Sequence, residues 1–160
     1  NIISSKTASL FAAATKVGAI ISEEDLKYKN ALEFYGKNLG LTFQIADDTL
    51  DYNSELKLFG KNIGNDFYEG KVTLPIILLY QKVDKFEKEK LKSFFEKDIR
   101  EKQDLEHVLV QIKKNNIINE CYKKAEHYIN LASNSLSVFE ESEEKNILKN
   151  LTSFSIERNF

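Results

Sequence analysis

The residues of this chain with the clearest capacity for chemistry are Asp47, Asp48 and Asp51, with Gln44 one turn before them. At ~100° per residue, a helix holds Gln44, Asp47, Asp48 and Asp51 within one stripe and leaves Phe43, Ala46 and Leu50 on another. Asp47 and Asp51 are then neighbours, and like charges roughly 6 Å apart at an effective dielectric of ~20 repel by about 3 kcal/mol. No Lys or Arg occurs between Lys37 and Lys57 to offset that repulsion. The carboxylates either face open water or hold cations. Hard divalent ions, Mg2+ above all, take oxygen ligands, keep several waters and commonly bind through a few carboxylates plus a substrate's phosphates. Lys57, Lys61 and Lys71 follow closely and can hold the rest of a diphosphate as point charges. The combination describes a site for a diphosphate leaving group. Taken singly the parts have plainer readings, since a DDxxD string often just ends a helix and a lone Lys is usually solvated.

The elements that must position these groups are helical. The chain has one proline and six glycines and is rich in Glu, Lys and Leu, so long helices are expected and strands are not. Leu10, Phe11, Ala14, Val17 and Gly18 form a stripe on a first helix from Ser4 or Ser5 to about Ile21. Ser22 and Asp25 resemble a capping box that opens a second helix running to about Tyr52, with Gly36 and Gly40 inside it. Two helical glycines cost about 1 kcal/mol each against Ala, so close packing by a neighbour or a bend is expected there. The carboxylates ride at the C-terminal end of this helix, where the macrodipole is negative and a compensating cation is favoured. Residues 53–73 read as a long irregular stretch holding Gly60, Gly64 and Gly70, the kind of loop that carries function or moves. Thr73 as N-cap with Pro75 in the first turn starts another apolar helix. Surface-patterned helices follow over 85–97, 104–114, 117–139 and 142–158, with Asp104 and Ser142 as N-caps.

Composition narrows the function classes. The 160 residues are one domain's worth, with 30% charged and 42% hydrophobic residues and a net charge of -2. That balance gives no basic face for nucleic acid. The single Cys121 excludes an internal disulfide and fits a buried structural thiol in a reducing, cytoplasmic setting. The longest apolar run, 8–21, is interrupted by Lys16 and too short for a membrane span, and no stretch reads as a signal peptide. The chain has no methionine and begins at Asn1 within a helical pattern, so a fragment is expected. Neither His107 nor His127 has a Glu three residues before it, which removes the carboxylate-bundle di-iron pattern and leaves both as structural or surface groups. No Ser/His/Asp signature and no Walker A string occurs.

Four ordered strings carry a family resemblance. They are Lys6-Thr7-Ala8-Ser9-Leu10-Phe11; Phe43-Gln44 with Asp47-Asp48-Thr49-Leu50-Asp51-Tyr52; Gly60-Lys61-Asn62-Ile63-Gly64-Asn65-Asp66; and Glu69-Gly70-Lys71-Val72-Thr73-Leu74-Pro75. The chain resembles the C-terminal half of a trans-type isoprenyl diphosphate synthase, most like the long-chain polyprenyl (octaprenyl-type) enzymes. Its last turn, Phe154 to Arg158, is also similar to the family's ending, whereas 81–144 matches mainly as helices. The resemblance implies an all-α fold and the Mg2+-dependent head-to-tail condensation of an allylic diphosphate with isopentenyl diphosphate. It implies Asp47 as the direct ligand of one Mg2+, with Asp48 and Asp51 beside it or acting through bound water. Lys6, Lys61 and Lys71 would hold the allylic diphosphate, and Lys6, Thr7 and Gln44 would lie next to the allylic cation. The released diphosphate would be the base that finishes the reaction.

The sequence departs from the family in one respect. The family's first DDxxD motif, which supplies the other metal sites and much of the isopentenyl diphosphate site, occurs nowhere in these 160 residues. The chain should therefore need an N-terminal half as partner, and a homodimer is implied by the resemblance. The alternative is a non-catalytic truncated helical protein with a structural or partner-binding role. A class I terpene cyclase shares the metal logic, but the GKxxGxD and EGKxTLP strings discriminate against it.

Overall fold

A computed structural model describes residues 7–53 and 63–157. The described residues form eight α-helices and no strand: α1 (Ser9–Ile21), α2 (Leu26–Leu50), α3 (Asn65–Tyr68), α4 (Leu74–Lys82), α5 (Lys85–Glu96), α6 (Lys102–Lys114), α7 (Ile117–Ser135) and α8 (Glu143–Glu157), with a 3-10 turn at Leu136–Val138. None of these helices is long and apolar enough to cross a membrane. The all-α expectation holds. The chain divides into two compact units, Asn1–Ala46 with Lys123–Phe160, and Asp47–Tyr122.

In the first unit, Tyr35, Leu39, Ala132 and Leu136 form a buried cluster, flanked by Phe11, Leu32, Phe139 and Leu148. The Tyr35 hydroxyl donates to the Leu148 carbonyl at 2.8 Å, and burial pushes its pKa up to about 12. The expected α1 stripe is only partly the buried one: Leu10 and Val17 are exposed, at 70% and 47%, while Ala8, Ala12 and Ala19 are buried. The reason lies in α2, whose two glycines let the helix backbones approach closely. A Cβ placed on Gly40 would stand 2.7 Å from the Ala8 Cα, and one on Gly36 would collide with the Phe11 carbonyl and the Thr15 hydroxyl. Small residues are selected at such a contact, and larger ones turn outward. Thr15 strengthens it by donating to the Leu32 carbonyl at 2.6 Å.

The end of α1 also corrects the expected capping box. Ser22 is the C-cap of α1, its N–H bonded to the Gly18 carbonyl. Glu23 follows at φ 54, with its N–H on the Ile20 carbonyl and that of Glu24 on the Ala19 carbonyl, which is a Schellman ending. The carbonyl of Asp25 then accepts from Tyr28 and Lys29 at the start of α2.

In the second unit, Phe67, Leu79, Leu91, Phe94, Leu105, Val108 and Ile112 are buried. Phe67 meets Phe94 and Phe95 edge-on, at centroid separations of 6.4 and 5.4 Å. Thr73 sits at the N-cap of α4 with Pro75 in the first turn, although its side chain makes no capping hydrogen bond. Asp84 caps α5 by accepting the Glu87 N–H at 2.9 Å. The expected N-cap of α6 shifts: Glu101 takes that position, and Asp104, inside the first turn, accepts the Glu101 N–H at 3.0 Å. Lys97 bridges both Asp104 oxygens at 2.8 and 2.7 Å, so this acid belongs to an ion pair as well as to the helix start. In the first unit, Ser142 opens α8 as expected, accepting the Lys145 N–H at 3.2 Å. Cys121 is buried and unbridged, and His107 of α6 is held between Glu87 and Lys90 of α5.

Candidate functional site

The aspartates sit where α2 ends. Asp47 is exposed, Asp48 is 4% exposed, and Asp51 lies half-buried in the turn after Leu50. Exposure does not follow the two-face division expected from the sequence, since Asp48 is buried with Ile45, Ala46 and Thr49 while Phe43 and Leu50 are only half-buried. The segment after the aspartates folds back onto Asp51. The Gly64 N–H donates to the Asp51 carbonyl at 2.7 Å, the Asn65 N–H to Asp51 Oδ1 at 3.0 Å, and the Asp66 N–H to Asp51 Oδ2 at 2.9 Å. Asp51 therefore anchors the start of α3, a four-residue helix inside the stretch expected to be irregular. Burial pushes the Asp51 carboxyl above its ordinary range; the Asp66 charge adds to the rise, and the backbone donors oppose it.

Two residues beyond α2, Tyr52 is 1% exposed, and burial holds its hydroxyl far above the usual tyrosine range. The C-terminal end of α3 leads directly to Lys71. Its N–H donates to the Asp66 carbonyl at 2.8 Å, and its ammonium pairs with Glu69 at 2.6 Å and Asp66 at 3.2 Å. Those hydrogen bonds, Glu69 first, raise the Lys71 pKa, so it is cationic throughout the neutral range. The Lys71 side chain remains 57% exposed, within reach of an incoming anion.

In the first unit, Thr7 and Gln44 are brought together. The Thr7 hydroxyl donates to Gln44 Oε1 at 2.8 Å across 37 positions of sequence. With its hydrogen spent on Gln44, Thr7 Oγ1 presents only lone pairs to anything else near it. Lys6 and Lys61 lie outside the described residues.

Among the described residues, no three His, Cys, Asp or Glu side chains converge to hold a metal ion by themselves. The donors at the end of α2 are all carboxylate oxygens, and Asp47 is the exposed one, at the negative end of the helix dipole. That set fits a hard divalent ion held through one or two carboxylates with water and phosphate completing its shell, and it does not fit a closed all-protein cage.

Sequence reasoning passed over Arg100. Its Nη1 donates to the Tyr68 carbonyl at 3.3 Å, its Nη2 to the Phe95 carbonyl at 2.9 Å, and it packs beneath Gly70. The available signal was compositional: Arg100 and Arg158 are the sole arginines in a chain with 23 basic residues. A planar five-donor fork amid lysines marks a position where carbonyls need to be bridged.

Comparison with known proteins gives one consistent result. The family profile of the Polyprenyl synthetase family matches residues 1–112. A prenyl transferase of Cyanidium caldarium is 36% identical over 143 residues, covering 89% of this chain and 43% of that protein. The crystal structure of a polyprenyl synthase from Roseobacter denitrificans superposes with a TM-score of 0.89 at 33% identity, covering 98% of this chain and 51% of the other. A Caulobacter crescentus polyprenyl synthase, crystallised with calcium and isoprenyl diphosphate, also gives 0.89 at 34% identity, covering 99% and 48%. The chain spans about half the length of these relatives and matches their C-terminal half. On this agreement of profile, relatives and fold, the chain belongs to the polyprenyl synthetase family.

Proposed function

We propose that this chain supplies one half of a prenyltransferase site, in which an allylic diphosphate condenses head-to-tail with isopentenyl diphosphate. The observation that carries the reading is the anchoring of two motifs by one carboxylate. Asp51 closes the aspartate-rich end of α2 and receives the N–H groups that start the segment leading to Lys71. Asp47 and Lys71, opposite in charge, thus belong to a single tied piece of chain.

The roles follow from where charge develops. Ionisation of the allylic carbon–oxygen bond leaves negative charge on the departing diphosphate and positive charge on the allyl group. Mg2+ bound at Asp47, with Asp48 and Asp51 beside it, would supply Lewis-acid stabilisation of the leaving diphosphate. Lys71 would exchange its partners Glu69 and Asp66 for diphosphate oxygens, a trade between charge-assisted hydrogen bonds of similar kind. Lys6 and Lys61 would act with it as further cations. Thr7 and Gln44 would face the allyl cation with oxygen lone pairs, the Thr7 hydrogen being turned away onto Gln44. The released diphosphate would take the final proton.

The isopentenyl diphosphate site and the remaining metal ligands would come from an N-terminal half carrying the other aspartate-rich motif, so the chain alone would not turn over. The purified chain, mixed with the N-terminal half of a polyprenyl synthase, Mg2+, an allylic diphosphate and labelled isopentenyl diphosphate, should form labelled polyprenyl product. Absence of product from a mixture of two folded halves would contradict the proposal.

A further inference from the structure

We infer that Arg100 is a positioning residue for Lys71, fixing the turn from which that ammonium projects; the inference rests on the proposed diphosphate-binding role of Lys71. A four-residue helix does not hold its own shape, because nucleating a helical turn costs more than its hydrogen bonds return. Its first N–H groups are fixed by Asp51. Its far end closes with Gly70 at φ 73, the Gly70 N–H bonded to the Phe67 carbonyl at 3.0 Å and the Lys71 N–H to the Asp66 carbonyl at 2.8 Å. This left-handed ending sets the direction in which the chain leaves at Lys71.

Arg100 braces that ending from beneath. One arm of the guanidinium holds the Tyr68 carbonyl and the other the Phe95 carbonyl at the end of α5. Its plane covers Phe95 at 5.5 Å from the ring centroid, and Phe95 in turn meets Phe67 of α3. The fit against Gly70 leaves no room for a side chain, since a Cβ there would stand 2.6 Å from Arg100 Nη2. The glycine of the EGK string is thus required twice, for its left-handed backbone and for the guanidinium beneath it. Lysine at 100 would keep the charge and lose the planar bridge between two carbonyls.

The test measures amide hydrogen exchange and Mg2+-dependent binding of inorganic pyrophosphate on the 160-residue chain, wild type against Arg100→Lys and Arg100→Gln. Both variants are expected to exchange the Gly70 and Lys71 amides about tenfold faster while amides of α7 are unaffected. Pyrophosphate affinity is expected to fall about tenfold with the exchange of α1 amides unchanged. Unchanged exchange at Gly70 and Lys71, or faster exchange with undiminished affinity, would overturn the inference. A wild-type chain that folds and has no affinity for Mg2+ pyrophosphate would instead remove the diphosphate role of Lys71, and this role of Arg100 with it. Should the variants fail to fold, the wild type alone decides: a braced guanidinium gives separate, slowly exchanging Nη signals by NMR, and a single averaged signal contradicts the bracing.

Discussion

The Asp66 N–H donates to Asp51 Oδ2 at 2.9 Å, joining positions fifteen apart and tying the aspartate-rich end of α2 to the segment that carries Lys71. Asn65 gives its N–H to the other oxygen of the same carboxylate. Asp51 is therefore structural as well as acidic, and its neighbours Asp47 and Asp48 differ from it and from each other in exposure. Three carboxylates that look equivalent in the sequence have three different surroundings.

Replacing Asp51 separates its two roles. Asp51→Ala strands the N–H groups of Asn65 and Asp66, and hydrogen bonds to a charged acceptor contribute about 1.5–3 kcal/mol each. Because the group is half-buried, a total loss of about 2 kcal/mol is expected, with Asp51→Asn losing less because one acceptor oxygen survives. Urea unfolding of the three proteins checks the order.

Asp104 makes part of the stability pH-dependent. Burial acts to raise its carboxyl, but the Lys97 ammonium and the Glu101 N–H outweigh it and hold the group below its ordinary range. A depressed carboxyl contributes stability that is fully present above the unfolded value of about 3.9 and is lost as pH falls through the folded value. Asp104→Asn should cost about 1–2 kcal/mol at neutral pH, and the difference from wild type should shrink steadily below about pH 4. Unfolding free energies measured across that range would show a constant difference if the reading were wrong.

Two glycine substitutions should act in opposite directions. Gly18 lies in α1 with nothing within 4 Å of a built Cβ, so Gly18→Ala is expected to stabilise by about 0.5–1 kcal/mol. Gly40→Ala meets the Ala8 backbone, which cannot move aside as a side chain can, and is expected to destabilise by about 1–3 kcal/mol. Thermal melts of both variants give the comparison directly.

Thr7→Val keeps the shape of the side chain and removes both its donor and its lone pairs. In the complemented enzyme it should lower kcat about tenfold while leaving the KM for the allylic diphosphate within about twofold. A change confined to KM would assign Thr7 to ground-state binding.

Much of this architecture was legible in the sequence because it rests on local rules. Helix content followed from composition, the start of α4 from Thr73 and Pro75, the start of α8 from Ser142, and the close approach at Gly36 and Gly40 from glycines placed where a helix disfavours them. What could not be read depends on partners distant in sequence. Leu10 and Val17 turn outward because α2 demands small residues opposite its glycines, Asp104 lies inside the first turn of α6 because Glu101 takes the N-cap, and Ser22 ends a helix where it was expected to begin one. At the candidate site, four motifs singled out the aspartates and Lys71 as expectations, but nothing local told Asp47 from Asp48 or pointed to Arg100. The tie from Asp51 to Asn65 and Asp66 and the bond from Arg100 to Tyr68 join positions distant in sequence, which no periodicity in either segment encodes.

The central claim, that Asp47 together with a divalent ion forms a diphosphate half-site on this chain, is tested most directly by calorimetric titration with Mg2+ and an unreactive allylic diphosphate analogue, wild type against Asp47→Ala. The account predicts binding that requires Mg2+ and falls at least about tenfold in the variant. Equal binding by folded wild type and Asp47→Ala, or no binding by the folded wild type, would contradict it.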